Sequence, residues 1–209
     1  MTPAAVVHLD ESCLGNGREG DNPGGGGGLV EIRSRNGRIH RRDLYIHSPA
    51  TTNNRMALSG AIAVLQLLAQ KGVRLEVLIV SDSQYLVRGM REWVPGWVSR
   101  GWRRKEGPIE NLELWQALLA SARRHEVQWT WVRGHRGHPK NEYANDLAVL
   151  AAREQQTSEG LVESGFAAWL AAKREAGLFA GYDPDADFTV LETRLRDGEP
   201  FALAEGPVP

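Results

Sequence analysis

Residues 77–82 read Val-Leu-Ile-Val-Ser-Asp, a continuous apolar run that ends on a hydroxyl and a carboxylate. A run without alternation is typical of a strand covered on both faces, as in a parallel sheet between helices. Residues 5–10, Ala-Val-Val-His-Leu-Asp, follow the same plan and also end on an acid. We therefore expect Asp10 and Asp82 at the ends of two buried strands.

The segment between these strands predicts a hairpin and a helix. Residues 29–33 and 39–46 flank Asn36-Gly37, a pair that favours a tight turn because both residues tolerate positive φ. Residues 56–71 then repeat apolar side chains at helical spacing. The glycine-rich residues 15–28 lack the Lys-Ser/Thr ending of a phosphate-binding loop, and we interpret them as a flexible insertion beside the site.

The remaining pattern completes an α/β fold. Residues 84–91, 112–125 and 142–154 have helical patterns, and residues 127–132 alternate as a strand. The order β-β-β-α-β-α-α-β-α predicts a mixed five-stranded sheet with helices on both faces. Residues 1–154 would form this domain. Residues 155–209 would form a C-terminal extension with an amphipathic helix and an acidic, partly extended tail.

Composition excludes several classes of protein. The chain has 209 residues, a formal net charge of -1 and a single cysteine, Cys13, so an internal disulfide framework and a Cys-rich zinc site are excluded. The first residues lack the basic region of a signal peptide, and no apolar run is long enough to span a membrane. We expect a cytoplasmic, monomeric protein without membrane contact. Because the net charge is near zero, any grip on phosphates requires a local basic patch.

Six short motifs surround the two strand-end acids and follow them along the chain. They are residues 10–16 (Asp-Glu-Ser-Cys-Leu-Gly-Asn), 51–56 (Thr-Thr-Asn-Asn-Arg-Met), 82–85 (Asp-Ser-Gln-Tyr), 101–102 (Gly-Trp), 110–115 (Glu-Asn-Leu-Glu-Leu-Trp) and 131–135 (Trp-Val-Arg-Gly-His). In this order they resemble the motifs of type 1 ribonucleases H, and the resemblance spans residues 5–152. It implies a ribonuclease H-like fold and an endoribonuclease that cuts the RNA strand of RNA/DNA hybrids.

The resemblance also implies a metal site. In that family four carboxylates hold two divalent ions, Mg²⁺ or Mn²⁺, which activate the attacking water and stabilise the leaving oxygen. Asp10 and Asp82 match two of the four positions. The other two fall on Ala57 and Asn145, so the matched positions supply a charge of -2 instead of -4.

Three other acids are candidates to replace the missing ones. We predict Asp146 as the substitute metal ligand and catalytic acid, although one residue along a helix is a rotation of about 100° from Asn145. Glu142 lies one turn before Asp146 and is a candidate to assist. Glu11 follows Asp10 directly, but strand alternation is expected to turn its side chain away.

His135 is the fourth catalytic candidate. The resemblance places its imidazole near the metals, where it would assist proton movement or product release. The alternative is a loop histidine with a local hydrogen bond.

Two groups of residues are expected to bind the hybrid. Polar side chains that in the family reach the minor groove, where 2'-hydroxyls distinguish RNA from DNA, correspond to Asn16, Thr52, Asn53, Asn54 and Gln84. For Thr52 and Asn53 helix capping is the alternative. Residues 88–105 resemble the family's basic protrusion, which grips the phosphates of the DNA strand, and its candidate contacts are Trp93, Arg100, Arg103, Arg104 and Lys105.

Two functions remain open at this point. The first is a divalent-metal-dependent endoribonuclease acting on RNA/DNA hybrids. The second is a hybrid-binding protein with weak or no cleavage, because its metal site lacks carboxylates. Both predict hybrid binding, so turnover discriminates between them.

Overall fold

The computed structural model describes residues 2–15, 22–134 and 137–201. In chain order the elements are β1 (Ala4–Cys13), β2 (Gly24–Arg33), β3 (Ile39–Ser48), α1 (Asn53–Ala69), β4 (Glu76–Ser81), α2 (Gln84–Arg88), a π-helical turn (Gly89–Trp93), α3 (Val94–Ser99), α4 (Leu112–Ala122), β5 (Glu126–Trp131), α5 (Pro139–Glu154), β6 (Val162–Glu163), α6 (Phe166–Glu175) and α7 (Pro184–Arg196).

The strands form one mixed sheet in the order β5-β4-β1-β2-β3-β6. β1 is antiparallel to β2, and β2 to β3, whereas β4 runs parallel to both β1 and β5. The predicted α/β class and element order are confirmed. The sheet has one strand more than expected, because the two residues of β6 pair with Arg42 and Asp43 of β3.

Alternation along β1 divides the core into two layers. Ala5, Val7 and Leu9 pack in one cluster with residues of α1 and α4. Ala4 and Val6 pack in a second cluster with Phe188 and Leu195 of α7. Helices therefore cover both faces of the central strands, as their continuous apolar runs require.

The glycine run belongs to the sheet and is not a flexible loop. Residues 24–28 form the first half of β2 and are buried. A Cβ on Gly25 or Gly27 would lie 2.0 or 2.1 Å from the carbonyl oxygens of Ala148 and Ala144 in α5. Glycine is thus required because α5 packs directly on the strand backbone. The rest of the expected insertion, residues 16–21, lies outside the described residues.

Part of the acidic tail, residues 184–196, is helical. The expected amphipathic helix is present as α6, but the segment predicted as partly extended contains the 13-residue α7. Asp183 caps α7 by accepting hydrogen bonds from the N–H groups of Asp185 and Ala186. Phe188 is fully buried against the sheet, so tertiary burial decides this helix. The domain boundary at residue 154 stays a prediction.

None of the helices within residues 2–15, 22–134 and 137–201 has the length and apolar character that crossing a membrane requires.

Candidate active site

Three carboxylates meet in the carboxyl-terminal half of β1 and just past the end of β4. Asp10, Glu11 and Asp82 each place one oxygen within 4.8 Å of the others. Leu9 and Ser81 are register partners in the parallel pair, so Asp10 and Asp82 follow at the same level. The structure thus brings together Asp10 and Asp82, the two acids that were predicted to end buried strands. We call Asp10, Glu11 and Asp82 the acid cluster.

Glu11 joins the cluster against the expectation from strand alternation. Asp10 is oriented towards α5, where it contacts Asn141, and Glu11 contacts the Ser83 side chain before α2. β4 ends at Ser81, so beyond this point no strand lies beside β1 on that side. Side chains from the two faces of β1 can therefore converge on Asp82. The alternation rule fails here because it assumes that a sheet separates the two faces.

Hydrogen bonds fix the orientation of Asp10. Its Oδ1 accepts from the backbone N–H of Glu11 at 2.7 Å, and its Oδ2 accepts from Nδ2 of Asn141 at 3.0 Å. Asn141 is 1% exposed, so this contact lies in the protein interior. Gly134 lies close by, because a Cβ there would be 2.0 Å from Oδ2 of Asp82.

Crowding perturbs the ionisation of the cluster. Burial, and next the charge of Asp82, raise the pKa of Asp10 from 3.8 to about 8. Burial, followed by the charges of Asp10 and Asp82, also raises the pKa of Glu11 well above its usual value. Like charges at this separation resist ionisation unless a cation compensates them. The arrangement therefore favours binding of a divalent cation through hard oxygen ligands.

Asp146 is not part of this cluster, which corrects the predicted replacement ligand. Its Oδ2 accepts a hydrogen bond from Nε1 of Trp169 at 2.7 Å and lies 3.7 Å from Nζ of Lys173. The side chain is exposed, and it contacts α6 rather than the strand ends. The rotation of about 100° from Asn145 carries it away from the site. Glu11, and not Asp146, lies with Asp10 and Asp82 in the acid cluster.

Three further positions were connected with the metal site by the sequence: Ala57 and Asn145, where acids are missing, and Glu142, a candidate to assist. Ala57 is 5% exposed and belongs to the core cluster under α1, so its methyl group packs with apolar neighbours. Glu142 accepts a hydrogen bond from the backbone N–H of Gly137 at 3.2 Å and is not a member of the acid cluster. Asn145 is half-buried and lies one helical turn after Asn141, on the same side of α5.

Two predicted site residues, Asn16 and His135, lie outside the described residues. Their predicted roles stay predictions.

The predicted minor-groove residues stand at the starts of two helices, α1 and α2. Thr52 is the N-cap, and its hydroxyl accepts from the N–H of Arg55 at 3.3 Å, so the capping alternative applies to it. Asn53 has a buried Oδ1 that accepts no hydrogen bond from any described residue. Asn54 lines a groove of about 540 Å³, and Gln84 begins α2 just after Asp82.

The basic protrusion forms one wall of this groove. α2, the π-helical turn and α3 continue almost without interruption to Ser99, further than the predicted helix end at residue 91. Trp93, Arg100 and Arg104 line the groove, whereas Arg103 and Lys105 are exposed without lining it. Trp93 also packs on Trp97 and Trp115 with ring centroids 6.0 and 6.3 Å apart, so it supports the protrusion as well.

Comparison with known proteins decides the family. The model of the RNase H family matches residues 2–153. The chain belongs to the ribonuclease H family. Ribonuclease HI of Caulobacter vibrioides is 40% identical over 155 residues, which cover 74% of this chain and 96% of that protein. Ribonuclease H of Xanthomonas campestris is 44% identical over 151 residues, which cover 72% and 93%.

Solved structures agree with this assignment. The crystal structure of LC9-RNase H1, described as a type 1 RNase H with the type 2 active-site motif, is 54% identical, has a TM-score of 0.77 and matches over 82% of each chain. A foamy viral protease-reverse transcriptase, solved in complex with RNA/DNA hybrid, has a TM-score of 0.59 over 73% of this chain and 20% of that one. At 19% identity it shares the fold alone.

The family gives the activity. The protein is a ribonuclease H, an endoribonuclease that acts on RNA/DNA hybrids, and the family depends on divalent metal ions in general. The alternative of a hybrid-binding protein without cleavage is not favoured. Its basis was a shortage of carboxylates, and Glu11 adds a third one to the site.

Proposed function

We propose that Asp10, Glu11 and Asp82 bind Mg²⁺ or Mn²⁺ and that this site cleaves the RNA strand of an RNA/DNA hybrid. The observation that carries the proposal is the convergence of three carboxylate oxygens within 4.8 Å. The donor set fits the metal, because Mg²⁺ and Mn²⁺ prefer hard oxygen ligands. The raised pKa of Asp10 supports the same conclusion, since a bound cation would offset the cost of burying its charge and the repulsion from Asp82.

When bound, the ion would supply Lewis-acid chemistry for the activation of water and for the stabilisation of charge on the phosphate oxygens. The residues of the chain hold and orient the ligands. Asn141 fixes one oxygen of Asp10, the Ser83 hydroxyl contacts Glu11, and the backbone at Gly134 lies against Asp82. Asn145, on the same side of α5 as Asn141, would offer its neutral amide oxygen as a further metal ligand.

The hybrid would lie along the groove between Asn54 and the protrusion. Asn54 lines the groove and Gln84 follows Asp82 by two residues, and contacts of their amides with 2'-hydroxyls would select the RNA strand. Trp93, Arg100 and Arg104 line this groove together with Glu92 and Glu110, and the two guanidinium groups would receive the phosphates of the DNA strand. Asn53, Arg103 and Lys105 are further candidate contacts at the edges of this path. Cytoplasmic location and a monomeric state stay predictions.

A cleavage assay with matched variants tests the proposal. On a labelled RNA/DNA hybrid with Mg²⁺ or Mn²⁺, Glu11→Gln should lower kcat by more than about 100-fold, which exceeds the usual effect of a residue that only supports a ligand. Asp146→Asn should stay within about threefold of the wild type, because it contacts α6. Wild-type-like turnover by Glu11→Gln, or a large loss in Asp146→Asn, would show that the ligands are assigned wrongly.

A further inference from the structure

Lys140 is the most deeply buried cation of the described residues. It is the second residue of α5 and is 1% exposed. Its ammonium group lies 2.8 Å from Oε2 of Glu31 in β2 and 2.8 Å from Oδ2 of Asp187 in α7. It also donates a hydrogen bond to the carbonyl of Pro184 at 3.0 Å. A buried ammonium is costly unless such partners hold it, so this group fixes three elements relative to one another.

The next residue in the chain touches the active site. Asn141 follows Lys140 in the first turn of α5, and its Nδ2 donates to Oδ2 of Asp10. Two adjacent residues of one helical turn therefore point to different places, one to the Glu31–Asp187 pair and one to the acid cluster. Movement of this turn would change both contacts together, because the helix backbone is rigid over one turn.

Two of the residues that contact Lys140 lie in α7, outside the part of the chain that the family model matches. The family model ends at residue 153, whereas Pro184 and Asp187 belong to the first turn of α7. Burial alone would raise the pKa of Asp187, but the charge of Lys140 lowers it below the usual value, so Asp187 is ionised. α7 is anchored in turn by Phe188 and Leu195, which are buried against β1 and β4.

We propose that Lys140 and Asp187 are positioning residues through which the C-terminal helix α7 holds Asn141 against Asp10. α7 thereby pre-organises one metal ligand from outside the family domain. The role is indirect, because neither residue belongs to the acid cluster. This inference rests on the proposed function, in which Asp10 is a metal ligand.

The test compares two carboxylates in the first turn of α7, those of Asp187 and Asp185. Asp187→Ala removes the contact with Lys140, and Asp185→Ala removes an equivalent carboxylate that pairs with Arg41 instead. Mn²⁺ alone, without hybrid, is titrated into each purified full-length protein and the free ion is followed by electron paramagnetic resonance. Asp187→Ala should weaken Mn²⁺ binding by about tenfold, the lower end of the effect of outer-shell partners, whereas Asp185→Ala should bind as the wild type does.

A second readout needs no metal. In the metal-free protein the side-chain amide of Asn141 gives its own NMR signal, and its hydrogen bond to Asp10 slows solvent exchange. This signal should shift and exchange faster in Asp187→Ala but not in Asp185→Ala. The kinetic signature is a lower kcat at fixed Mn²⁺ with an unchanged KM for the hybrid, and Asp187→Glu should restore part of it.

The outcomes are distinguishable. Equal Mn²⁺ affinities in both variants and the wild type, or an unchanged Asn141 signal, would overturn the positioning role. If Asp187→Ala loses cooperative unfolding, Asp187→Asn, which keeps the size and an acceptor, is judged by the same two readouts. A wild-type protein that binds Mn²⁺ through Asp10 yet leaves the hybrid intact would instead contradict the proposed function and not this inference.

Discussion

Neutralising Asp10 should stabilise the metal-free protein at alkaline pH while abolishing its function. The folded-state pKa of Asp10 is about 8 against an ordinary value of 3.8, a difference of about 4 units. Because the folded state binds the proton more tightly, stability falls as pH rises between these two values. At about 1.4 kcal/mol per unit, the ionised carboxylate costs the folded protein about 6 kcal/mol above pH 8.

Asp10→Asn removes this cost but also weakens a hydrogen bond. Asp10 accepts from the Glu11 N–H and from Asn141, and an asparagine offers one acceptor oxygen in place of two. A buried donor left without its partner costs about 1–2 kcal/mol. The net gain at pH 8 is therefore about 4 kcal/mol, or roughly 8–16 °C in Tm for a chain of this size.

Thermal unfolding with a chelator present, measured from pH 4 to pH 9, checks this expectation. Asp10→Asn should be more stable than the wild type at pH 8. The difference in stability should change sign near pH 5, where the Asp10 carboxyl group is protonated in the folded wild type. Saturating Mg²⁺ should reverse the order at pH 8, because only the wild type gains binding energy. A stability difference that does not change with pH would refute the electrostatic account of the cluster.

The raised pKa values of Asp10 and Glu11 predict that Mn²⁺ affinity increases with pH up to at least about pH 8, because both carboxyl groups must lose their protons on binding. Calorimetry in two buffers of different ionisation enthalpy should detect the released proton, and no release at pH 7 would contradict the prediction. Gly27→Ala should destabilise the protein by more than about 3 kcal/mol, since its Cβ would meet the Ala144 carbonyl at 2.1 Å. Gly60→Ala, where a Cβ meets nothing within 4 Å inside α1, should instead stabilise by about 0.5–1 kcal/mol in denaturant unfolding, and equal effects at the two sites would rule out the close-packing explanation.

Local sequence rules determined the framework of the site. The unbroken apolar runs that end on Asp10 and Asp82 predicted two buried strands, and the structure pairs these strands in parallel. Parallel strands present their carboxyl ends at one edge, so the meeting of these two acids followed from the pattern. The six ordered motifs pointed to the family by resemblance.

Only the tertiary structure decided which further acid completes the cluster. Periodicity assigns Glu11 and Asp10 to opposite faces, but whether the faces are separated depends on where the neighbouring strand β4 stops. Asp146 is adjacent to Asn145 in sequence, yet Trp169 and Lys173 of the distant α6 attract its carboxylate. Glycines 24–28 look like a loop until α5 is packed on them, and α7 forms because the sheet buries Phe188. Sequence periods describe one element at a time, whereas these outcomes depend on partners that are far apart in the chain.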